Sequence, residues 1–278
     1  MKFRHVEVDF ESPKVMGILN VTPDSFSDGG KFNQVDSAIE QARRMLAAGA
    51  TFIDVGGEST RPGAQAVSVD VELERVIPVI EALTKELDVI VSIDTNKAQV
   101  MREAVGAGAS MINDVRALQN EGALDAAVWA AQTHNVPSCL MHMKGDPETM
   151  QKAPQYGHVV EEVISFFEQR IEACTHAGLA YEHIILDPGF GFGKTLDHNY
   201  QLLKYLQNFN QFDVPVLAGL SRKSMIGKLL GRDVEQRLAG SVATATIAAL
   251  AGASIIRVHD VEETMDAVNI VNKLQNVE

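Results

Sequence analysis

At 278 residues, the chain is long enough for one large α/β barrel or for two smaller domains. Hydrophobic residues make up 46% and charged residues 22%, which excludes a disordered chain and provides for a large buried core. The formal net charge of -13 argues against nucleic-acid or anionic-membrane partners, so an anionic ligand would need a local basic cluster.

The N-terminus, Met1-Lys2-Phe3-Arg4-His5, runs into alternating charge without the apolar stretch of a secretory signal. Short apolar runs then begin near Val15, Thr51, Val89, Ser110, Pro137, His183, Pro215 and Ser254, alternating with longer amphipathic stretches. In the first such stretch Val35, Ala38, Ile39, Ala42, Met45 and Leu46 share one helical face. Leu73, Val76, Ile77, Ile80, Leu83 and Leu87 do the same in the second, where Pro78 predicts a kink. Cys139 and Cys174 stand in no metal-ligand or CxxC spacing and suit a reducing compartment, so a cytoplasmic location is expected. Ile184-Ile185-Leu186 and Val216-Leu217-Ala218 are continuous apolar runs, the pattern of parallel strands covered on both faces. Helices are expected to end near Gly49, Gly108, Gly178 and Gly252, each followed within a few residues by a strand. Residues 238–256 carry no charge, but their Ala, Gly, Ser and Thr content predicts a buried helix running into a buried strand rather than a bilayer span.

Eight such units closing into a (β/α)8 TIM barrel, one domain over residues 1–278, is the predicted fold; an open doubly wound sheet is the alternative. The long Gly- and Pro-rich loops (21–34, 56–68, 142–153 and 188–195) all follow strands. In a barrel they gather at the C-terminal rim, where such folds keep their chemistry.

The polar residues at those strand tips are Asn20, Asp54, Asp94, Asn113 with Asp114, His142, Asp187, Ser221-Arg222-Lys223, and Arg257 with His259. Singly, each could be a helix cap or a loop hydrogen bond, as Asp94 before Thr95-Asn96 could be. Together they fall into two groups. Asp94, Asn113 and Asp187 are acceptor-rich and suit a heterocycle with a guanidine-like edge. Arg61, Arg222, Lys223, Arg257 and His259 are basic and suit phosphate or carboxylate. Gly189-Phe190-Gly191-Phe192-Gly193-Lys194-Thr195 looks like the end of a phosphate-binding P-loop, but Pro188 stands where that motif needs glycine. His134 and His142 are lone histidines read as structural.

Several of these segments resemble the signatures of the dihydropteroate synthase family. Ile18-Leu19-Asn20-Val21-Thr22-Pro23-Asp24-Ser25-Phe26-Ser27-Asp28-Gly29-Gly30 is similar to the first, and Asp54-Val55-Gly56-Gly57-Glu58-Ser59-Thr60-Arg61-Pro62-Gly63 to the second. Ser92-Ile93-Asp94-Thr95, Ile112-Asn113-Asp114, Leu186-Asp187-Pro188-Gly189-Phe190-Gly191-Phe192, Gly219-Leu220-Ser221-Arg222-Lys223-Ser224 and Ile256-Arg257-Val258-His259-Asp260 follow in the family's order. The resemblance implies condensation of 6-hydroxymethyl-7,8-dihydropterin pyrophosphate with p-aminobenzoate, giving 7,8-dihydropteroate and pyrophosphate in folate biosynthesis. It implies that Asp94, Asn113, Asp187 and Lys223 hold the pterin. Asn20, Thr60, Arg61, Arg257 and His259 would handle pyrophosphate, with Asn20 also a Mg2+ ligand. Phe26, Thr60, Pro62, Phe192, Ser221 and Arg222 would line the p-aminobenzoate site. Chemistry would fall to Asn20, Thr60, Arg61, Asp94, Lys223 and Arg257. A homodimer and a sulfonamide target are implied as well. The rival readings are a methyltetrahydrofolate-type methyltransferase and a pterin-binding paralogue without turnover.

Overall fold

A computed structural model describes residues 1–22, 31–59, 66–145, 150 and 154–277. The chain opens with a two-stranded antiparallel hairpin, β1 (Lys2–Phe3) and β2 (Val6–Glu7). The alternating charge at the N-terminus had given no sign of it.

Each predicted apolar run then becomes a parallel strand: β3 (Lys14–Asn20), β4 (Phe52–Gly56), β5 (Ile90–Asp94), β6 (Met111–Asp114), β7 (Ser138–Met141), β8 (Ile184–Asp187), β9 (Leu217–Ala218) and β10 (Ile255–Val258). They form an 8-stranded sheet in the order β8-β7-β6-β5-β4-β3-β10-β9. A parallel bridge between Leu186 and Val216 joins β8 to β9, and the sheet curls into a barrel rather than lying open.

The helices α1 (Lys31–Ala47), α2 (Val69–Glu86), α3 (Ala98–Gly106), α4 (Ala123–His134), α5 (Val159–His176), α6 (Leu196–Lys204), α7 (Ser224–Leu230), α8 (Leu238–Leu250) and α9 (Val261–Gln275) follow the barrel strands. The predicted helix-terminal glycines, Gly49, Gly108, Gly178 and Gly252, all have positive φ, as the chain reversal requires. Two expectations need adjustment. Lys31 to Gln34, read as loop, are already helical, because nothing after Gly30 interrupts a helix that, once begun, propagates easily. The other concerns α2, in which Pro78, expected to kink the helix, lies on its exposed face within a helix that continues to Glu86.

Side chains alternate across each strand. Outward-facing Val15, Leu19, Ile53, Val55, Val91, Ile93, Ile112, Leu140, Ile184, Leu186, Ala218, Ile256 and Val258 pack with the helices in the larger core. Inward, every strand gives one residue to a second cluster: Met16, Phe52, Ile90, Met111, Cys139, Ile185, Leu217 and Ile255, closed below by Phe3 and Val8 of the hairpin segment. The barrel floor is therefore a dry plug. Whatever lies one step higher on the same face has apolar packing beneath it.

Candidate active site

Two residues further along each strand, the inward positions are Ile18, Asp54, Ser92, Asn113, Met141, Asp187, Gly219 and Arg257. One step higher again come Asn20, Gly56 and Asp94, with Ser221 and His259 just beyond β9 and β10. The period of two places polar residues from most of the strands inside one barrel mouth. Their nearness is visible in the glycines. A Cβ at Gly56 would lie 3.7 Å from Asn20 Oδ1 and 3.6 Å from Asp94 Cβ, and one at Gly219 would lie 3.9 Å from Arg257 Cβ and from Lys223 Nζ.

Arg257 is the centre of this arrangement. Its Nε donates to Asp54 Oδ2 at 2.6 Å and its Nη2 to Asp94 Oδ2 at 2.8 Å. Asn113 Nδ2 donates to the same Asp54 oxygen at 3.1 Å. Asp54 is fully buried, and its Oδ1 has no hydrogen-bond partner among the described residues. Buried carboxylate oxygens are normally paired, so this one is an unsatisfied acceptor inside the cluster. The two chemical groups predicted at the rim are therefore one: Arg257, expected among the cations, is bound into the acidic cluster. The reason is charge balance. Two carboxylates on a low-dielectric floor need a counterion within hydrogen-bond reach.

Burial sets the protonation of these groups. It raises Asp94 to about 7 against the attraction of Arg257, and neighbouring Asp54, Glu72 and Asp114 push it the same way. Asp187 also lies above the ordinary carboxylate range through burial, opposed by Lys223 and by the bond its Oδ1 accepts from Gly189 N at 2.7 Å. Lys223 is lowered to about 8, first by burial and then by Arg257, while Asp187 holds it up. Lys223 Nζ donates to Phe190 O and stands 4.7 Å over the Phe192 ring, which joins the tip of β9 to the loop after β8.

The remaining expected residues are placed as follows. Asn20 is half-buried at the end of β3, and His259 is exposed at the mouth. Ser221 Oγ lies 3.1 Å from His259 Nδ1 and accepts from His259 N at 3.2 Å. Arg222 turns to Asp260, bonding it through Nε at 2.9 Å and Nη2 at 2.5 Å. Asp114, the last residue of β6, makes loop hydrogen bonds, as its bland reading had it: its carboxylate accepts from Arg116 N at 2.7 Å and Leu118 N at 2.8 Å. Asp94, by contrast, caps nothing; α3 starts after Lys97 with no side-chain cap. Phe26, Thr60, Arg61 and Pro62 lie outside the described residues.

Beside Asn113 and Asp187 opens a cavity of about 280 Å³ lined by Val115, Arg116, Gln119, Asn120, Met141, Met143 and Gly145. Met141 is in register with Asp187, so the cavity adjoins the acceptor-bearing wall, with a lining that mixes Val115, Met141 and Met143 with Arg116, Gln119 and Asn120. Two residues were not assigned a role from sequence, Asp54 and Met141. A charged residue inside a run covered on both faces, as in Phe52-Ile53-Asp54-Val55, was the available signal for the first. Nothing marked the second.

Against known proteins, a family profile described as pterin binding enzyme matches residues 16–259. The dihydropteroate synthase of Escherichia coli K12 is 56% identical over 264 residues, covering 95% of this chain and 92% of that protein. A Yersinia pestis dihydropteroate synthase solved with a sulfonamide drug superposes with a TM-score of 0.94 at 53% identity, covering 100% of this chain and 99% of that one. A Xanthomonas albilineans dihydropteroate synthase in complex with 7,8-dihydropteroate gives a TM-score of 0.88 at 48% identity, covering 98% and 97%.

Proposed function

The chain belongs to the dihydropteroate synthase family of pterin binding enzymes, and we propose the following division of labour for its reaction. The enzyme condenses 6-hydroxymethyl-7,8-dihydropterin pyrophosphate with p-aminobenzoate, releasing pyrophosphate and 7,8-dihydropteroate. The observation that carries this reading is the buried cluster around Arg257, in which two carboxylates and an asparagine face one barrel mouth beside Asp187 and Lys223.

Asp94, Asn113 and Asp187 accept and donate along the guanidine-like edge of the pterin, and Lys223 supplies a cationic donor to its ring. Asp54 supports that set from beneath, accepting from Asn113 and Arg257. Arg257 bonds the carboxylates through Nε and Nη2, leaving the Nη1 edge of its fork to face an anion at the mouth, with His259 beside it. Asn20, Thr60 and Arg61 complete the pyrophosphate side. Phe26, Thr60, Pro62, Phe192, Ser221 and Arg222 form the p-aminobenzoate side.

Carbon–oxygen cleavage is limited by charge building on the departing pyrophosphate, which fixed cations stabilise without reorganisation. The carbon left behind is conjugated with an electron-rich ring, so the path is dissociative. The neutral aromatic amine then needs only placement in line with that carbon. No covalent nucleophile is required.

Mg2+ fits this mouth. Asn20 Oδ1 offers a hard oxygen at the rim near Asp94, and an ion that keeps several waters and substrate oxygens needs few protein ligands. When bound it neutralises pyrophosphate charge. The full chain is read as one domain acting in the cytoplasm. A homodimer is supported by Ile247 on α8 (48% exposed) and by Ile270 and Leu274 on α9 (67% and 60%), apolar side chains on two helices that pack together. The helix in residues 238–250, expected to be buried, packs one face inward through Ser241, Thr244, Ala245, Ala248 and Ala249.

Pyrophosphate release measured with and without p-aminobenzoate tests the reading. Release that depends on the amine and yields dihydropteroate is expected. A protein that binds the pterin substrate but releases no pyrophosphate with the amine present would sink it.

A further inference from the structure

Within the P-loop look-alike, residues 189–195, Lys194 takes no part in the substrate site, and it points the wrong way for a phosphate site. Lys194 is buried, at 2% exposure. Its Nζ donates to Gly189 O at 2.8 Å, Phe192 O at 3.1 Å and His142 O at 3.2 Å, and lies 3.0 Å from His142 Nδ1. All four partners are neutral. A phosphate-binding loop turns its N–H groups inward around an anion. This loop turns carbonyls inward around an amine.

The surrounding backbone is built for that amine. Gly189 (φ +70) and Gly193 (φ +64) lie so close to the loop after β7 that an added Cβ would sit 2.0 Å from His142 O and 2.1 Å from Lys144 O. Asn199 on α6 takes Gly191 N at 2.6 Å, and Tyr156 Oη donates to Gly193 O at 3.0 Å. Burial holds His142 to about 2, so its ring stays neutral beside the amine.

The far side of the same turn meets Lys223. Phe190 O accepts from Lys223 Nζ, the Phe192 ring lies under that ammonium, and a Cβ at Gly191 would come within 3.3 Å of Lys223 Cδ. Two of the carbonyls that Lys194 gathers, that of Gly189 one residue before Phe190 and that of Phe192 two residues after it, bracket Phe190 O along the chain.

We propose that Lys194 is a positioning residue for the synthase reaction: its buried amine ties the turn 189–193 to His142 and thereby sets where Phe190 O and the Phe192 ring meet Lys223. The proposal rests on the reading of Lys223 and Phe192 as substrate-contacting groups. Lys194 itself touches no substrate. Its effect reaches the site through the burial of Lys223, whose Nζ is surrounded by Asp187, Arg257 and Asp94.

Lys194→Met keeps the stem length and burial while removing the amine. The turn's carbonyls then lose their inner donor, water reaches Lys223, and its titration moves up from about 8 toward the ordinary lysine range. Nitrogen NMR of the Lys223 side chain in the free, full-length protein reads this directly, with an expected upward shift of roughly one unit. KM for p-aminobenzoate is expected to rise roughly tenfold or more, with a smaller change in kcat, because Phe192 is displaced rather than the reacting groups lost. Lys194→Gln keeps amide donors for two carbonyls and covers the case in which Lys194→Met does not fold; it should shift Lys223 in the same direction by less. Lys223 still titrating near 8 in whichever variant folds, together with an unchanged KM for p-aminobenzoate, overturns the proposal whatever the melting temperature does. The NMR titration needs no turnover, so its failure is distinct from failure of the synthase reading, which pyrophosphate release by the parent enzyme reports.

Discussion

Replacing Arg257 by Met removes the cation that, among the described residues, pairs with both Asp54 and Asp94, while keeping most of the stem's packing. The parent geometry has two ion pairs, at 2.6 and 2.8 Å, between side chains 19% (Arg257), 0% (Asp54) and 10% (Asp94) exposed. Breaking a buried pair by removing one partner costs about 3–5 kcal/mol, because the other charge stays buried and uncompensated. For a chain of this length that is roughly a 6–10 °C fall in Tm. The cost should depend on pH in a defined sense. Asp94 already titrates near 7 because of burial, and losing Arg257 raises it further. A carboxyl whose folded pKa is raised binds its proton more tightly in the native state, so it detracts from stability as pH rises through that range. Below about pH 6 a proton replaces the guanidinium, and the deficit of Arg257→Met should shrink; near pH 8 it should be at its full size. Calorimetry across that range is the assay. Arg222→Met is the control: its pair with Asp260 is 33% and 11% exposed, and its loss should cost about 1 kcal/mol or less. A deficit for Arg257→Met that is the same at both pH values, or no larger than that of Arg222→Met, would refute the reasoning.

Three further outcomes follow from the same geometry. Asp187→Asn exchanges a charge-assisted acceptor for a neutral amide, which should weaken pterin binding by about 1.5–3 kcal/mol, roughly 10- to 150-fold; calorimetric titration giving the parent affinity would contradict it. Pterin affinity should be bell-shaped in pH, rising as Asp94 ionises near 7 and falling as Lys223 loses its proton above about 8, whereas a flat profile across that range would remove both groups from the pocket. Gly189→Ala must place a Cβ 2.0 Å from His142 O at φ +70 and should lose more than about 3 kcal/mol by denaturant unfolding. Gly231→Ala, at φ +63 with nothing within 4 Å, should lose only about 1 kcal/mol, and equal losses would deny the interlocked loops.

The strands and helices were legible because each is written locally. The period-3.6 stripe from Val35 to Leu46, the runs at Ile184 and Val216 and the glycines after helices all state a backbone preference that any α/β barrel context supports. The β1–β2 hairpin was not legible, since two-residue strands carry no period; only the barrel floor gives Phe3 and Val8 something to cover. Lys194 was set aside as a phosphate ligand on Pro188 alone, and what holds it instead was not legible. Only in the folded chain do the carbonyls of His142, Gly189 and Phe192 close around it.

The sequence by itself determined which residues stand at the ends of the strands, because a polar residue terminating an apolar run can lie only where burial ends. It also determined that Asn20, Asp94, Asn113, Asp187, Lys223 and Arg257 belong to one rim, because parallel strands joined by helices all point the same way. Only the tertiary structure decided which of them are partners. Arg257 meets Asp54, 203 positions away, and Asp94, 163 away. Pairing across such separations depends on the curvature of the closed sheet and on which inward layer each residue occupies, and no local pattern encodes either. The rim that composition divides into acids and bases is one ion cluster in space, since buried like charges hold together only around an opposite one.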